Sequence, residues 1–164
     1  MIGYALRRAT AADAAALARH RAEMFRDMGV LSDDLYHTLV EASRAYFTGA
    51  LADGRYVGWV AERREPPGEV VAGAGLQLRE LLPRPDTERE RLVRGPQGLI
   101  LNVFTERAWR RRGIAAALMR ELMRWCRDNG IESLVLHASD EGRPLYEKLG
   151  FAPTNEMRYR GERV

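Results

Sequence analysis

Strand-like and helix-like segments alternate along this chain, and the alternation predicts an α/β fold. The centre of the chain shows it best. Residues 99–105, Leu-Ile-Leu-Asn-Val-Phe-Thr, are an apolar stretch of strand length. A basic turn with one glycine follows, Arg110-Arg111-Arg112-Gly113-Ile114-Ala115. Beyond it, apolar residues recur at Ile114, Ala117, Leu118, Leu122, Trp125 and Cys126, broken by polar Glu121, with the period of a helix. A length of 164 residues suits one domain across 1–164 and is enough to bury a core.

The remaining elements read in order. Residues 4–8 form a strand. Thr10 with Asp13 makes a capping box for a helix through Met28, closed by Gly29. Ser32-Asp33-Asp34 starts a second helix that runs to about Leu51. Residues 56–62 and 70–79 make a strand pair around the turn Pro66-Pro67-Gly68. Residues 81–98 carry three prolines and many charges and read as a long surface loop. After the central strand and helix come a strand over 131–138, a helix over the segment that follows Ser139, and a final strand or two within 151–160.

Composition narrows the function. The chain is 46% apolar and 30% charged, as in an ordinary globular protein. No apolar run approaches the roughly 20 residues that span a bilayer, and the N-terminus lacks the pattern of an export signal. Cys126 is the single cysteine, and no cluster has metal-ligand spacing, so neither a disulfide nor a metal is expected. The cytoplasm is the expected compartment. The net charge of +3 comes almost wholly from arginine, Lys148 being the only lysine. These arginines are spread among acidic residues with no aromatic interleaving, which argues against a nucleic-acid partner.

The basic turn points to an anionic ligand. The first-turn amides of a helix have no intrahelical partner, the helix dipole adds positive charge, and glycine allows close approach. The spacing is neither that of a nucleotide-binding P-loop nor the Gly-x-Gly-x-x-Gly of a dinucleotide fold. It resembles motif A of the GNAT superfamily of N-acetyltransferases, Arg/Gln-x-x-Gly-x-Gly/Ala, with Arg110, Gly113 and Ala115 in the defined places. Residues 139–151 resemble motif B, whose core Leu-Tyr-x-x-x-Gly-Phe is matched from Leu145 to Phe151. Residues 6–13 are similar to the usual opening of that family, a short strand running into the first helix. The resemblance therefore spans nearly the whole chain.

It implies a mixed, mostly antiparallel sheet flanked by helices, with central strands splayed to hold coenzyme A. It implies an acetyl-CoA-dependent N-acetyltransferase whose partner is a small-molecule amine, which attacks the thioester directly in a ternary complex. A protein N-terminal or side-chain acetyltransferase, and a non-catalytic acyl-CoA-binding module, are the alternatives. A homodimer is compatible with the chain. By the resemblance, the amides of Arg110, Arg111, Arg112, Gly113, Ile114 and Ala115 hold the pyrophosphate, and the edge of Val103, Phe104 and Thr105 pairs with the pantetheine arm. Ser139 stands where a cofactor-contacting Asn is common, although its hydroxyl also suits a helix cap. Tyr146 matches the tyrosine that protonates the departing thiolate, and Cys126 reads as core.

No base stands on the central strand, if Leu99, Leu101 and Val103 share one face and Ile100, Asn102 and Phe104 the other. Glu23, Asp27, His37 and Glu156 are the alternatives, while His137 reads as a core histidine within an apolar strand. The acceptor is expected against the first two helices, near Arg21, Met24, Phe25 and Glu156. Leu17, Met24 and Met28 form an apolar stripe with Arg21 in its middle. A guanidinium there needs an anionic partner, either an internal carboxylate such as Glu156 or Asp27, or a carboxylate or phosphate on the substrate.

Overall fold

The computed structural model describes residues 3–86 and 88–161, so Thr87, within the expected surface loop, lies outside the described residues. Five strands form one sheet, in the order β1 (Tyr4–Arg8), β2 (Tyr56–Arg63), β3 (Val70–Arg79), β6 (Gln97–Thr105) and β7 (Ser133–Leu136). The first four are mutually antiparallel, and β7 runs parallel to β6. Helices α1 (Ala14–Asp27) and α2 (Asp33–Asp53) cover one face. The other is covered by α3 (Ile114–Asp128) together with the short α4 (Arg143–Lys148).

Local chemistry explains the boundaries. The Asp13 carboxylate accepts the Thr10 amide at 2.8 Å and two bonds from Arg7 at 2.8 and 2.9 Å, tying β1 to the start of α1. Gly54, at φ 80°, closes α2 in the left-handed conformation. On α1 the buried stripe is Ala14, Leu17, Ala18 and Ala22, with Met28 exposed, so the helix faces the core a little away from the expected Leu17–Met24–Met28 line. His20 is also fully buried there.

Two expectations are corrected. The segment 81–98 is not simply a loop: β4 (Arg84–Asp86) and β5 (Arg91–Val93) pair as a small hairpin, and β6 begins at Gln97. Residues 151–160 form no strand. Ala152 to Gly161 are exposed and irregular, with only Phe151 tucked against the Tyr146 ring. An isolated strand has no stable ladder without a neighbour, and none stands beside β7 on its outer side among the described residues.

Candidate active site

The sheet opens at one place. β7 pairs with β6 from Gln97↔Ser133 to Ile100↔Leu136 and goes no further. β6 continues to Thr105, so its last five residues present an unpaired edge on that side. A bulge lies at the same point, with Asn102 and Val103 standing together opposite Ala74, between Leu101↔Gly75 and Phe104↔Gly73. Asn102 takes φ 58°, a left-handed conformation that asparagine tolerates better than most side chains. Its Nδ2 donates to the Leu17 carbonyl at 3.2 Å, anchoring the bulge to α1.

The bulge overturns the expected alternation. Leu101 and Asn102 both line the α1–α2 side, while Val103 packs towards α3. Phe104 returns to the α1 side, 5.1 Å from the His20 ring. Thr105 Oγ1 is buried without a hydrogen-bond partner.

After β6, Glu106 leads a tight 3-10 turn over Arg107–Trp109. The Arg110 amide donates to the Arg107 carbonyl at 3.3 Å, and the next helical bond is from Ala117 to Gly113 at 3.0 Å. The amides between them, including those of Arg111, Arg112, Gly113, Ile114 and Ala115, precede the first helical bond and are free for a ligand. Gly113 has φ 75°, and a Cβ built there would meet nothing within 4 Å, so the space before the helix is open. The expected part of the Arg110 amide is corrected, because that amide is already bonded within the turn. Its side chain instead latches the turn: Nε donates to the Thr105 carbonyl at 2.9 Å, Nη2 pairs with Asp27, and the guanidinium lies 5.5 Å from the Phe104 centroid. Arg107 also pairs with Asp27, and these two hydrogen bonds hold its carboxyl below the ordinary value. Arg112 reaches the Ala108 carbonyl and stacks 4.9 Å from Trp109, while Arg111 is exposed.

Ser139 Oγ accepts the Gly142 amide at 3.1 Å at the entrance to α4. Tyr146, on α4, is largely buried against Phe151 and Gly142, and burial pushes its phenol up from the ordinary value. Cys126 is fully buried, its thiol pushed up to about 11 by burial.

A cavity of about 250 Å³ lies between α1, α2 and the sheet, beside the bulge. Arg21 lines it, with Tyr46, Tyr56, Gln77 and Asn102 among its other polar residues. Gln77 donates to the Tyr46 hydroxyl at 2.6 Å. The Tyr56 hydroxyl and Asn102 Oδ1 are buried there with no hydrogen-bond partner. The Tyr56 ring lies flat over Gly75, where a Cβ would come within 2.2 Å of it.

The other expected residues fall elsewhere. Phe25 carries the Arg21 guanidinium 4.9 Å from its ring, and neither Phe25 nor Met24 lines the cavity. Glu156 bonds His137 at 2.7 Å on the surface, away from Arg21. His137 is therefore no core residue: its side chain is 51% exposed, just past the end of β7. Of the four candidate bases, Glu23 is taken by Arg26 and Tyr36, Asp27 by two arginines, Glu156 by His137, and His37 packs on Tyr36. None lines the cavity. Tyr46, Tyr56 and Gln77 were missed by the sequence reading, because they converge from α2, β2 and β3 and share no local spacing.

A sheet parted beside an amide-rich turn, with a cavity at the parting, is the frame expected of an acetyl-CoA-dependent acyltransferase. The model of the Acetyltransferase (GNAT) family matches residues 15–151, and the chain belongs to that family of enzymes. A GCN5-related N-acetyltransferase from Ralstonia eutropha superposes with a TM-score of 0.83 at 34% identity, over 96% of this chain and 97% of that one. A predicted acetyltransferase from Clostridium acetobutylicum, solved with acetyl-CoA, gives 0.77 at 28% identity over 96% of each chain. The aminoglycoside N(6')-acetyltransferase type 1 of Stenotrophomonas maltophilia is 27% identical over 157 residues, covering 94% of this chain and 90% of that enzyme. The glucosamine 6-phosphate N-acetyltransferase of Trypanosoma brucei brucei is 30% identical over 97 residues, which are 57% of this chain and 59% of that enzyme. Among the described residues no helix is long and apolar enough to cross a membrane, and no acidic, histidine or cysteine group could hold a metal ion.

Proposed function

We propose that this enzyme moves an acetyl group from acetyl-CoA to a primary amine of a small molecule, by direct attack within a ternary complex. The observation that carries the reading is the meeting of two features at one bulge. The open β6 edge and the α1–α2 cavity both adjoin it, so donor and acceptor meet there.

The residues present fit the co-substrate. The amides of Arg111, Arg112, Gly113, Ile114 and Ala115 hold the pyrophosphate, and the exposed Arg111 side chain meets a further phosphate. Arg110 keeps the turn in place. The unpaired main chain of Val103, Phe104 and Thr105 takes the pantetheine arm as an added strand, and Ser139, just beyond β7, contacts the co-substrate. Acetyl-CoA supplies the thioester carbonyl that the amine attacks. Tyr146 donates its phenolic proton to the departing sulfur, and its phenol, raised by burial from the ordinary value, is neutral at physiological pH. Among the described residues no carboxylate or imidazole lines the cavity, so the amine enters free or sheds its proton to solvent.

Release of free thiol from acetyl-CoA, followed across a panel of small primary amines, tests this reading. Acetylation of at least one amine, dependent on Tyr146, is the expected result. Tight coenzyme A binding with no thiol release from any small amine would overturn it in favour of a non-catalytic module or a protein acceptor.

A further inference from the structure

The cavity beside the bulge has a chemical polarity that narrows its acceptor. Arg21 is half-buried in its wall, close to the Tyr46 and Tyr56 phenols. It makes no ion pair among the described residues, although both carboxylates that could have served it, Asp27 and Glu156, lie within the same chain. Asp27 is held by Arg107 and Arg110, and Glu156 by His137. No acidic side chain lines the cavity. A guanidinium stays charged at any physiological pH, and a half-buried one without an anion is an open valence for one.

The neutral groups nearby point the same way. The Tyr56 hydroxyl is buried with no partner, on a residue only 2% exposed. The Tyr46 hydroxyl accepts from Gln77, which leaves its own proton free to donate. Three donors thus line the one cavity. At the bulge the unpartnered buried group is an acceptor instead, Asn102 Oδ1. An amine N–H answers it, and that end adjoins the open β6 edge.

We propose that the cavity selects an amine that also bears an anionic group, carboxylate or phosphate, gripped by Arg21 and the two phenols while Asn102 orients the amine. The inference rests on the acetyltransferase reading and sharpens it. It also sets this chain apart from its aminoglycoside-acetylating relative, because a polycationic sugar would bring several ammonium groups to a wall that offers a cation and no carboxylate.

Four amino sugars with related reacting groups decide the matter by calorimetry on the coenzyme A complex: glucosamine, glucosamine 6-phosphate, muramic acid and kanamycin. The phosphate and lactyl-carboxylate arms distinguish the two anionic sources. At least one of them should bind roughly tenfold or more tightly than glucosamine, with kanamycin weakest. Arg21→Met should remove that advantage and leave coenzyme A affinity unchanged, while Arg21→Lys, which keeps the charge and loses the fork, should retain part of it. Kanamycin or glucosamine binding as tightly as both anionic sugars would overturn the proposal. So would an advantage that survives in Arg21→Met, or an absence of binding by either anionic sugar. In each of these cases, thiol release with some other amine would leave the acetyltransferase reading standing. Failure of coenzyme A itself to bind would remove both.

Discussion

At the scale of single residues, function depends on groups whose neighbours leave something undone. Tyr146 has its ring packed against Phe151 and Gly142, and burial pushes its phenol up from the ordinary value. Removing the hydroxyl alone should spare that packing. Tyr146→Phe is expected to lower kcat about 10²–10⁴-fold, the usual worth of general acid catalysis, with little change in coenzyme A affinity. Steady-state kinetics beside calorimetry checks it, and wild-type turnover would return Tyr146 to a packing role. Gly113 makes a second residue-scale prediction. Its φ of 75° costs a non-glycine residue about 1 kcal/mol, which a folded domain can bear, and no atom within 4 Å obstructs a side chain. Gly113→Asp should therefore fold normally by circular dichroism while its carboxylate repels the pyrophosphate. Coenzyme A binding should fall below detection in calorimetry.

At the scale of elements, the feature that organises the site is the latch between the end of α1 and the turn after β6. Asp27 receives Arg107 and Arg110, and Arg110 reaches back to the Thr105 carbonyl, so helix, turn and strand end are joined by one carboxylate. Both arginines hold the Asp27 pKa below its unfolded value of about 3.9. A depressed carboxylate stabilises the fold fully above that unfolded value, and the contribution is lost as pH falls through the depressed folded value. Asp27→Asn should accordingly lower Tm by a small, constant amount at neutral pH. The gap to wild type should close below about pH 4, and high salt should narrow it at neutral pH. Melting curves across pH and salt measure both trends, and a gap that widens in acid would show that Asp27 does not carry the latch. The elements also show where local patterns ran out. The capping box at Thr10 and Asp13 was legible because its contact spans only three residues, and Ser32 stands at the start of α2 without a side-chain cap bond. The tail over 151–160 is apolar enough in places to read as strand, yet lacks a neighbour to pair with.

At the scale of the whole molecule, one sheet serves two cores. The face towards α3 and α4 is closed and apolar, with Ile114, Leu118, Met119 and Leu122 fully buried against the strands. The face towards α1 and α2 is closed only in part, and the remaining space is the cavity proposed for the acceptor. Gly75 sits under that space, with the Tyr56 ring against its backbone. Gly75→Ala would place a methyl 2.2 Å from the Tyr56 ring carbon, which must swing towards the cavity to escape. Overpacking of this kind costs about 1–3 kcal/mol. Tm should fall and the acceptor KM should rise, while the KM for acetyl-CoA stays in place because its turn lies across the bulge. A parallel rise in both KM values would show that the two sites are not separately built.

Contacts between near neighbours along the chain are readable before folding is considered. That covers the order of helices and strands, the basic turn with its unbonded amides, the motif around Tyr146 and the presence of Arg21 between Leu17 and Met24 on the first helix. Each is set by spacings of a few residues, where propensity, capping and helical period act directly. Tertiary structure alone decided that Asn102 bulges, bringing Leu101 and Asn102 to one side, because a bulge is fixed by the register against β3 and by the Leu17 carbonyl across the sheet. It alone paired Asp27 and Glu156 away from Arg21, and it alone gathered Tyr46, Tyr56 and Gln77 around that guanidinium. These partners lie tens of residues apart in the chain, and no local rule ranks one carboxylate above another until the sheet has brought the competing arginines into place.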